Sequence, residues 1–308
     1  MINGLLLGII AAFFWSLTNI IDKYLTARHA EDGDVWGILI LSCFFPAILL
    51  PICISLSTVS APLPEITLLV FTGGLMVGWI FFYLKALTED DTSVVMTLLV
   101  LAPFFSLIFS HFILGETLSS IQMIGGGLLI LGSLIVSYTP VQHSFNFKLI
   151  FYAVSASTIM GLMHTLFKFS TIQDEFWRSM FWRSGGMVLV GILLCLCVPH
   201  IWRKFFHFTK HYLGSGLTLN TTNESLTLLG DTLFGFAVLL APIALIQTTE
   251  AYQPLFIICI TFILSRFGFD SISEDYTRLT IFRKVFGISI IIIGSIILST
   301  YTNSPISL

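Results

Sequence analysis

Long apolar stretches separated by short polar links recur along the whole chain. We identify ten candidate stretches, each close to the roughly 20 residues that a helix needs to cross a bilayer. They cover residues 3–26, 34–57, 66–87, 92–113, 119–138, 147–170, 176–198, 226–245, 247–267 and 281–301. Hydrocarbon offers no hydrogen bonds to a free backbone, so these stretches should be helices. The pattern predicts an all-α membrane protein with ten transmembrane helices.

The scarcity of charge supports lipid as the solvent for most of the surface. Charged residues make up 10% of the chain, against about 25% in ordinary soluble domains. The formal net charge of -3 gives no basis for a nucleic-acid partner. The first apolar stretch is too long for a signal peptide and lacks a basic start, so we expect no cleaved signal. We predict a multi-pass protein of the inner (plasma) membrane, in contact with the lipid bilayer.

Residues 199–225 fit the transmembrane pattern poorly. They begin with a mixture of Trp, Phe, Lys and Arg and continue with Ser, Thr and Asn. An amphipathic helix lying in the membrane interface would account for the first part. A solvated loop is the alternative.

An internal repeat relates the two halves of the chain through three successive alignments. Their shifts of 145, 151 and 162 residues pair Trp15–Asn19 and Lys23 with Met160–His164 and Lys168, then Ala86, Ser93 and Pro103 with Ala237, Ala244 and Pro254, then Gly125 and Gly132 with Gly287 and Gly294. Five helices per half is an odd number, so the second half would be inverted in the membrane. We predict a 5+5 inverted repeat with halves at residues 1–140 and 141–308.

Several motifs of the first half resemble one known repeat. Ala12-Phe13-Phe14-Trp15-Ser16-Leu17-Thr18-Asn19 resembles the opening helix of the EamA-type repeat of the drug/metabolite transporter superfamily. Tyr83-Leu84-Lys85-Ala86-Leu87 is similar to its third helix, and Pro103, Leu114-Gly115-Glu116, Gln122, Gly125 and Gly132 are similar to its fourth and fifth. The second half departs from the pattern, with Arg266-Phe267-Gly268-Phe269-Asp270 where Leu-Gly-Glu would follow Pro254. The resemblance implies a ten-helix fold around a central cavity and export of amino acids, amines or related metabolites.

Glu250 is the foremost candidate for substrate binding. It lies one turn before Pro254, within a polar run that also contains Gln247 and Tyr252, whereas the aligned residues before Pro103 are almost all apolar. Ionisable groups at membrane depth cost about 2.5–3.5 kcal/mol on insertion scales and usually face a cavity. Glu250 could bind a substrate ammonium group or exchange a proton. The alternative is an acid at the water boundary.

Further candidates lie on the other predicted cavity helices. Asn19 and His164 occupy corresponding positions in the two halves, and His164 could hydrogen-bond a substrate or a neighbouring helix. Arg183 lies within its predicted helix and could bind a substrate carboxylate or pair with an acid such as Glu175. Trp15, Trp79 and Tyr83 could line the same space or serve packing.

The remaining basic and small residues have ordinary explanations. Lys23 and Lys168 lie near predicted helix ends, where long side chains extend to the interface. Gly125-Gly126-Gly127 and Gly132 suggest close helix packing, around a twofold axis or in a homodimer contact. Cys195 and Cys197 lie among Leu and Val with no His or Cys pair nearby, so we expect no metal site, and no motif indicates a cofactor.

These features predict a secondary transporter of a small-molecule substrate, and no enzyme. The two halves would alternate access around a midplane site, and protons are the candidate coupling ion. A phosphate-linked organophosphate antiporter is the alternative within transport, and would need Lys23, Lys168 or Arg183 in the cavity. A membrane-embedded lipid-modifying enzyme is the alternative from another class. Two arguments about orientation disagree: the positive-inside rule places the termini outside, and the family resemblance places them in the cytoplasm.

Overall fold

The chain folds into helices nearly throughout, as predicted. The computed structural model describes residues 2–29, 35–115, 120–139, 144–170, 176–211, 215–240, 246–267 and 277–299. The α-helices are α1 Ile2–His29, α2 Trp36–Phe44, α3 Leu49–Leu56, α4 Leu63–Leu87, α5 Thr92–Leu99, α6 Ala102–Leu114, α7 Ser120–Ser137, α8 Phe147–Ser170, α9 Phe176–Cys197, α10 Pro199–His211, α11 Ser215–Leu240, α12 Gln253–Arg266 and α13 Arg278–Ser299. Two short 3-10 helices cover Phe45–Ile48 and Thr248–Tyr252. One two-residue antiparallel pairing joins Tyr138–Thr139 (β1) to Ser144–Phe145 (β2).

Within the described residues, seven segments are long and apolar enough to cross a membrane. They are Asn3–Ala27, Trp36–Leu56, Leu63–Leu87, Thr92–Ile113, Phe147–Ser170, Phe176–Cys197 and Arg278–Ile297. The predicted spans 119–138, 226–245 and 247–267 are not among them. Only Met123–Val136 of α7 is a sufficiently apolar helix, and it is shorter. A multi-pass membrane fold follows, and the count of ten spans stays a prediction.

Large apolar side chains point outward over much of the surface. Leu63, Phe112, Phe147, Leu196 and Phe282 are each more than two-thirds exposed. Such side chains would be costly in water and are at home in lipid, so the outer surface fits a membrane environment.

Proline interrupts three of the predicted spans. Pro46 lies in the 3-10 helix between α2 and α3, and Pro103 follows the break between α5 and α6. Pro254 follows the 3-10 helix Thr248–Tyr252 and lies in the first turn of α12. Proline cannot donate a backbone hydrogen bond and clashes with the preceding turn, so regular helix ends just before it.

The helices pack through small residues at close crossings. At the α4–α9 crossing, a Cβ atom on Gly73 would lie 2.2 Å from the Arg183 carbonyl oxygen. At the α7–α13 crossing, a Cβ atom on Gly132 would lie 2.8 Å from the Gly287 carbonyl oxygen. The predicted packing role of Gly132 is therefore confirmed.

The region after α9 combines two elements. α10 covers the aromatic and basic residues for which an interfacial helix was one prediction, and Trp202 and Phe206 on it are exposed. α11 begins at Ser215, so the predicted start at residue 226 is wrong. Its first turns contain the polar residues Asn220, Asn223 and Glu224, and these side chains are buried inside the protein.

Candidate functional site

Helix α1 carries a polar stripe that faces the protein interior. Trp15, Asn19 and Asp22 are spaced four and three residues apart, which places them on one face of a helix. α11 runs antiparallel along this face, because Trp15 contacts Asp231 and Asp22 contacts Asn223. The stripe therefore lies between α1 and α11, away from lipid.

Five residues form the first group of interior contacts, which we name the Asp22 cluster: Asn19, Asp22, Tyr83, Asn223 and Gln253. The Tyr83 hydroxyl lies 2.8 Å from Asn19 Oδ1 and 2.9 Å from Asp22 Oδ2. Asn19 Nδ2 donates to Gln253 Oε1 at 2.9 Å, and Asn223 Nδ2 donates to Asp22 Oδ1 at 2.7 Å. All but Asp22, which is half-buried, are at least nine-tenths buried. The cluster thus joins α1, α4, α11 and α12.

Two further side chains border the Asp22 cluster. Trp79 stacks on Tyr83 with ring centroids 5.3 Å apart, and its buried indole Nε1 has no hydrogen-bond partner among the residues that the structure describes. Glu224, next to Asn223 in the chain, accepts a hydrogen bond from Ser42 of α2. Two carboxyl groups, of Asp22 and Glu224, therefore lie in this part of the interior.

A second group, named the Arg183 cluster, consists of Trp15, Phe167, Arg183 and Asp231. Trp15 Nε1 donates to Asp231 Oδ1 at 3.1 Å, and Arg183 pairs with Asp231 Oδ2 at 3.7 Å. The guanidinium also lies 5.0 Å from the Phe167 ring centroid, a cation–π distance. The other predicted partner of Arg183, Glu175, lies outside the described residues. Asp231 takes its place, and charge is balanced here by an ion pair.

His164 is held in the interior by contacts from two other helical segments. Gln247 Nε2 lies 2.8 Å from His164 Nδ1 and donates to Ser106 Oγ at 3.2 Å. An amide NH₂ only donates, so Nδ1 is the acceptor in this contact. The ring also stacks on Phe234 at 5.8 Å, and Phe234 contacts Trp15 at 5.1 Å. His164 is thereby connected to the Arg183 cluster.

Glu250 lies in the 3-10 helix between these two groups along the chain. Gln247, on one side, contacts His164, and Gln253, on the other, contacts Asn19. Glu250 itself is 4% exposed, and its Oε1 has no hydrogen-bond partner within the described structure. A buried carboxyl oxygen left unpaired is costly, so it is an open acceptor for a ligand.

Comparison with family models finds a match to the first part of the chain. Residues 2–138 match the model of the EamA-like transporter family. We refer to the matched residues 2–138 as the EamA-like unit. The predicted resemblance to the drug/metabolite transporter superfamily is confirmed, and its family is one of membrane transporters.

The fold of the whole chain is shared with solved structures. One, described only as the crystal structure of a protein, aligns over 96% of this chain and 95% of its own, with a TM-score of 0.62. The sequence identity of 16% makes this a likeness of fold alone. No curated protein matches the chain in sequence.

The EamA-like unit and the rest of the chain both contribute predicted site residues. Asn19, Trp79 and Tyr83 meet at the Asp22 cluster, and Trp15, His164, Arg183 and Gln247 are connected at the other group. Tyr252 is half-buried and makes no hydrogen bond in the described part of the chain. The structure therefore divides the predicted set into two neighbouring groups with Glu250 between them along the chain.

Three acids in these groups escaped the sequence analysis. Asp22 was missed because it adjoins Lys23 near a predicted helix end, where charged residues are common. Glu224 was missed because it lies before residue 226, in a segment for which a loop was one prediction. Asp231 could have been found, because it stands within the predicted span 226–245 and an acid at that depth usually has a role.

Lys23 of α1 and Lys284 of α13 hold the loop that follows α4. Lys23 Nζ donates to the carbonyl oxygens of Leu87 and Asp90, each at 2.7 Å. Lys284 of α13 pairs with Asp91 at 2.7 Å. These contacts attach residues 88–91 to α1 and α13, so Lys23 binds backbone carbonyls here and does more than extend to the interface.

Proposed function

We propose that the chain is a secondary active transporter of the plasma (inner) membrane that exports small metabolites such as amino acids or amines by alternating access. The family match of residues 2–138 supports transport, and the buried Glu250 Oε1, which has no hydrogen-bond partner in the described structure, supports a cationic substrate group. An ammonium group would supply the hydrogen bonds and the charge that Glu250 lacks.

The second part of the proposed substrate site is Arg183. Its guanidinium lies 3.7 Å from Asp231, longer than a tight charged hydrogen bond, which is about 2.7–2.9 Å. A substrate carboxylate could therefore share the guanidinium with Asp231. Glu250 and Arg183 together would suit an amino acid, whereas an amine would need Glu250 alone.

We further propose that ten spans form a 5+5 inverted repeat, with halves 1–140 and 141–308. Contacts on one side of the membrane agree with ten spans. Asn146, before α8, contacts the Glu89 carbonyl at 3.5 Å, and Lys284 at the start of α13 pairs with Asp91. Asn146 and Glu89 lie on the same side only if α7 crosses the membrane, and Lys284 joins them only if α11 and α12 together cross twice or not at all.

Matched contacts support the repeat itself. The shift of 162 residues exchanges Gly125 with Gly287 and Gly132 with Gly294, and both resulting pairs are in close approach. A Cβ atom would lie 2.8 Å from the Gly287 carbonyl oxygen at Gly132 and 2.9 Å from the Gly125 carbonyl oxygen at Gly294. A twofold relation between α7 and α13 produces such a pair of contacts.

A thermal-stability screen of the purified protein tests the substrate class. Amino acids, polyamines, sugar phosphates and nucleotides are added in turn. A ligand at about 100 times its dissociation constant stabilises the folded state by about 2.7 kcal/mol, which is measurable. We expect stabilisation by amino acids or amines, followed by their transport in proteoliposomes. Stabilisation by phosphorylated compounds alone would overturn the proposal.

Glu250→Gln should remove both the stabilisation and the transport while the protein stays folded. The variant keeps the size of the side chain and deletes the charge that attracts an ammonium group. Glu89→Gln is the matched control, because Glu89 lies in the loop after α4 and its side chain makes no hydrogen bond in the described structure. Equal transport by wild type and Glu250→Gln would exclude Glu250 from the site.

A further inference from the structure

Asp22 is an acid near the end of the first membrane span, and its hydrogen-bond partners in the described structure are neutral. It lies in α1, within the span Asn3–Ala27, and is half-buried. Its carboxyl oxygens contact the Tyr83 hydroxyl and the Asn223 amide, and no ion pair joins it to a cation in the described structure. The proposed substrate site does not use it. Its role therefore needs a separate account.

The Tyr83 hydroxyl contacts two acceptor oxygens but has only one hydrogen to donate. The Tyr83 oxygen lies within hydrogen-bond distance of both Asn19 Oδ1 and Asp22 Oδ2. A phenol has one hydrogen, and neither an amide oxygen nor a carboxylate oxygen brings another. One of the two contacts must therefore receive its hydrogen from a different group.

A proton on Asp22 is the first solution. The Asp22 hydroxyl then donates to the Tyr83 oxygen, and the Tyr83 hydroxyl donates to Asn19 Oδ1. Asn19 Nδ2 donates onward to Gln253 Oε1, as the structure has it. Every contact in the chain then has one hydrogen.

An ionised Asp22 is satisfied by the reverse arrangement. Tyr83 then donates to Asp22, Asn19 Nδ2 donates to the Tyr83 oxygen, and Gln253 Nε2 donates to Asn19 Oδ1. The two ends of an amide have nearly the same shape, so both side chains can turn over in place. The same heavy-atom positions thus serve both protonation states of Asp22.

We propose that Asp22 is the proton-carrying group of the transport cycle, and that the chain Asp22–Tyr83–Asn19–Gln253 reverses its direction when the proton leaves. One proton passes between the Asp22 carboxyl and water, and the Tyr83 hydrogen turns from Asn19 to Asp22. No proton passes through the amides. This inference rests on the proposed transport function and names its coupling ion.

The two ends of this hydrogen-bond chain, Asp22 and Gln253, suit proton exchange and communication with the substrate site. Asp22 is its most exposed member, and the neighbouring Asn223 is 2% exposed with an Oδ1 that has no partner in the described structure. As the most exposed member, Asp22 is the group of this hydrogen-bond chain that can exchange its proton with water. At the other end, Gln253 begins α12 directly before Pro254 and three residues after Glu250. The protonation of Asp22 can thereby change the hydrogen bonding of Gln253, which lies next to the 3-10 helix that carries Glu250, the proposed substrate-binding acid.

Other titratable groups around Asp22 differ from it in their contacts. α5 has no titratable residue, and Cys259 and Arg266 of α12 are exposed. On α1 itself, the described side chains include Lys23, which binds carbonyls, and Tyr24. α4 carries Glu65, paired with Arg178, and Lys85, and the 3-10 helix carries Glu250 and Tyr252. α11 carries Glu224, bonded to Ser42, and Asp231, paired with Arg183. Of the acids, Asp22 alone contacts the Tyr83 chain.

Infrared difference spectroscopy of the full-length protein in lipid, titrated with pH, tests the proposal without a substrate. Wild type should lose a carboxylic-acid band as the pH rises, and Asp22→Asn should lack that band. Tyr83→Phe should shift the pH at which the band disappears, because the hydroxyl that stabilises the carboxylate is gone. Glu224→Gln and Asp231→Asn are matched controls that should keep it. The proposal would be overturned if the band persisted in Asp22→Asn, or if it disappeared in either control variant.

Uptake of a radiolabelled amino-acid mixture into proteoliposomes supplies the second arm. Asp22→Asn should abolish the stimulation of uptake by a pH gradient, because the variant has no carboxyl group at this position to carry the proton. Exchange should lose its pH dependence, which a purely structural role would not predict. Gradient-driven uptake equal to wild type would refute the proton role. If wild type transports nothing, the transport function fails, and the infrared result still decides whether Asp22 binds a proton.

Discussion

At the scale of single residues, the ion pair between Arg183 and Asp231 gives the clearest energetic expectation. Breaking a buried pair usually costs about 3–5 kcal/mol because one charge stays buried alone. Arg183→Gln should cost the lower end of this range or less, because Trp15 still donates to Asp231. Thermal unfolding of the purified protein measures the loss.

The double variant Arg183→Gln with Asp231→Asn separates stability from binding. Removing both charges leaves no buried charge alone, so most of the lost stability should return. Binding of an amino acid should not return, whereas an amine that needs only Glu250 should still bind. Recovery of amino-acid binding together with stability would rule out a carboxylate contact at Arg183.

The sequence predicts some of these site residues but not their contacts. Arg183, His164 and Asn19 were identifiable because polar groups inside apolar stretches are unusual. Their pairing was not, because the partners Asp231, Gln247 and Gln253 lie more than forty residues away from them in the chain. Such a pairing depends on how helices pack, which a single sequence does not encode locally.

At the scale of elements, the α7–α13 crossing gives a prediction with a matched control on one helix. A Cβ atom on Gly132 would lie 2.6 Å from Ile291 Cγ1 and 2.8 Å from the Gly287 carbonyl oxygen, whereas Gly127 has nothing within 4 Å. Gly132→Leu should therefore force the helices apart and cost about 1–3 kcal/mol. Gly127→Leu should leave thermal unfolding unchanged. Equal effects of the two variants would contradict this crossing.

Element boundaries were predictable where apolar runs ended at Pro, Gly or acidic residues. The α-helical class, the break before Pro254 and the glycine crossing of α7 follow from such local features. The start of α11 did not, because Asn220, Asn223 and Glu224 read as a polar loop. They are helical since their polar groups are buried inside the protein, where Asn223 contacts α1 and Glu224 contacts α2.

At the scale of the whole molecule, two sets of loop contacts define two opposite sides. Residues 88–91 contact Lys23, Asn146 and Lys284 on one side. On the other, Arg178 of α9 pairs with Glu65 and Trp182 donates to the Val59 carbonyl oxygen. The loops on each side are those that follow odd-numbered and even-numbered spans in a ten-span topology.

Cysteine labelling in intact cells tests this arrangement. In a background without the native cysteines, we expect Glu89→Cys and Ser144→Cys to react alike with a membrane-impermeant thiol reagent, and Thr58→Cys to show the opposite result. Glu89 and Ser144 are separated by two spans if α7 crosses the membrane and by one if it does not. Opposite labelling of these two positions would therefore exclude ten spans. The side on which Glu89→Cys reacts also gives the side of the termini, because an odd number of spans separates Glu89 from the first residue. This result decides between the positive-inside rule, which places the termini outside, and the family resemblance, which places them in the cytoplasm.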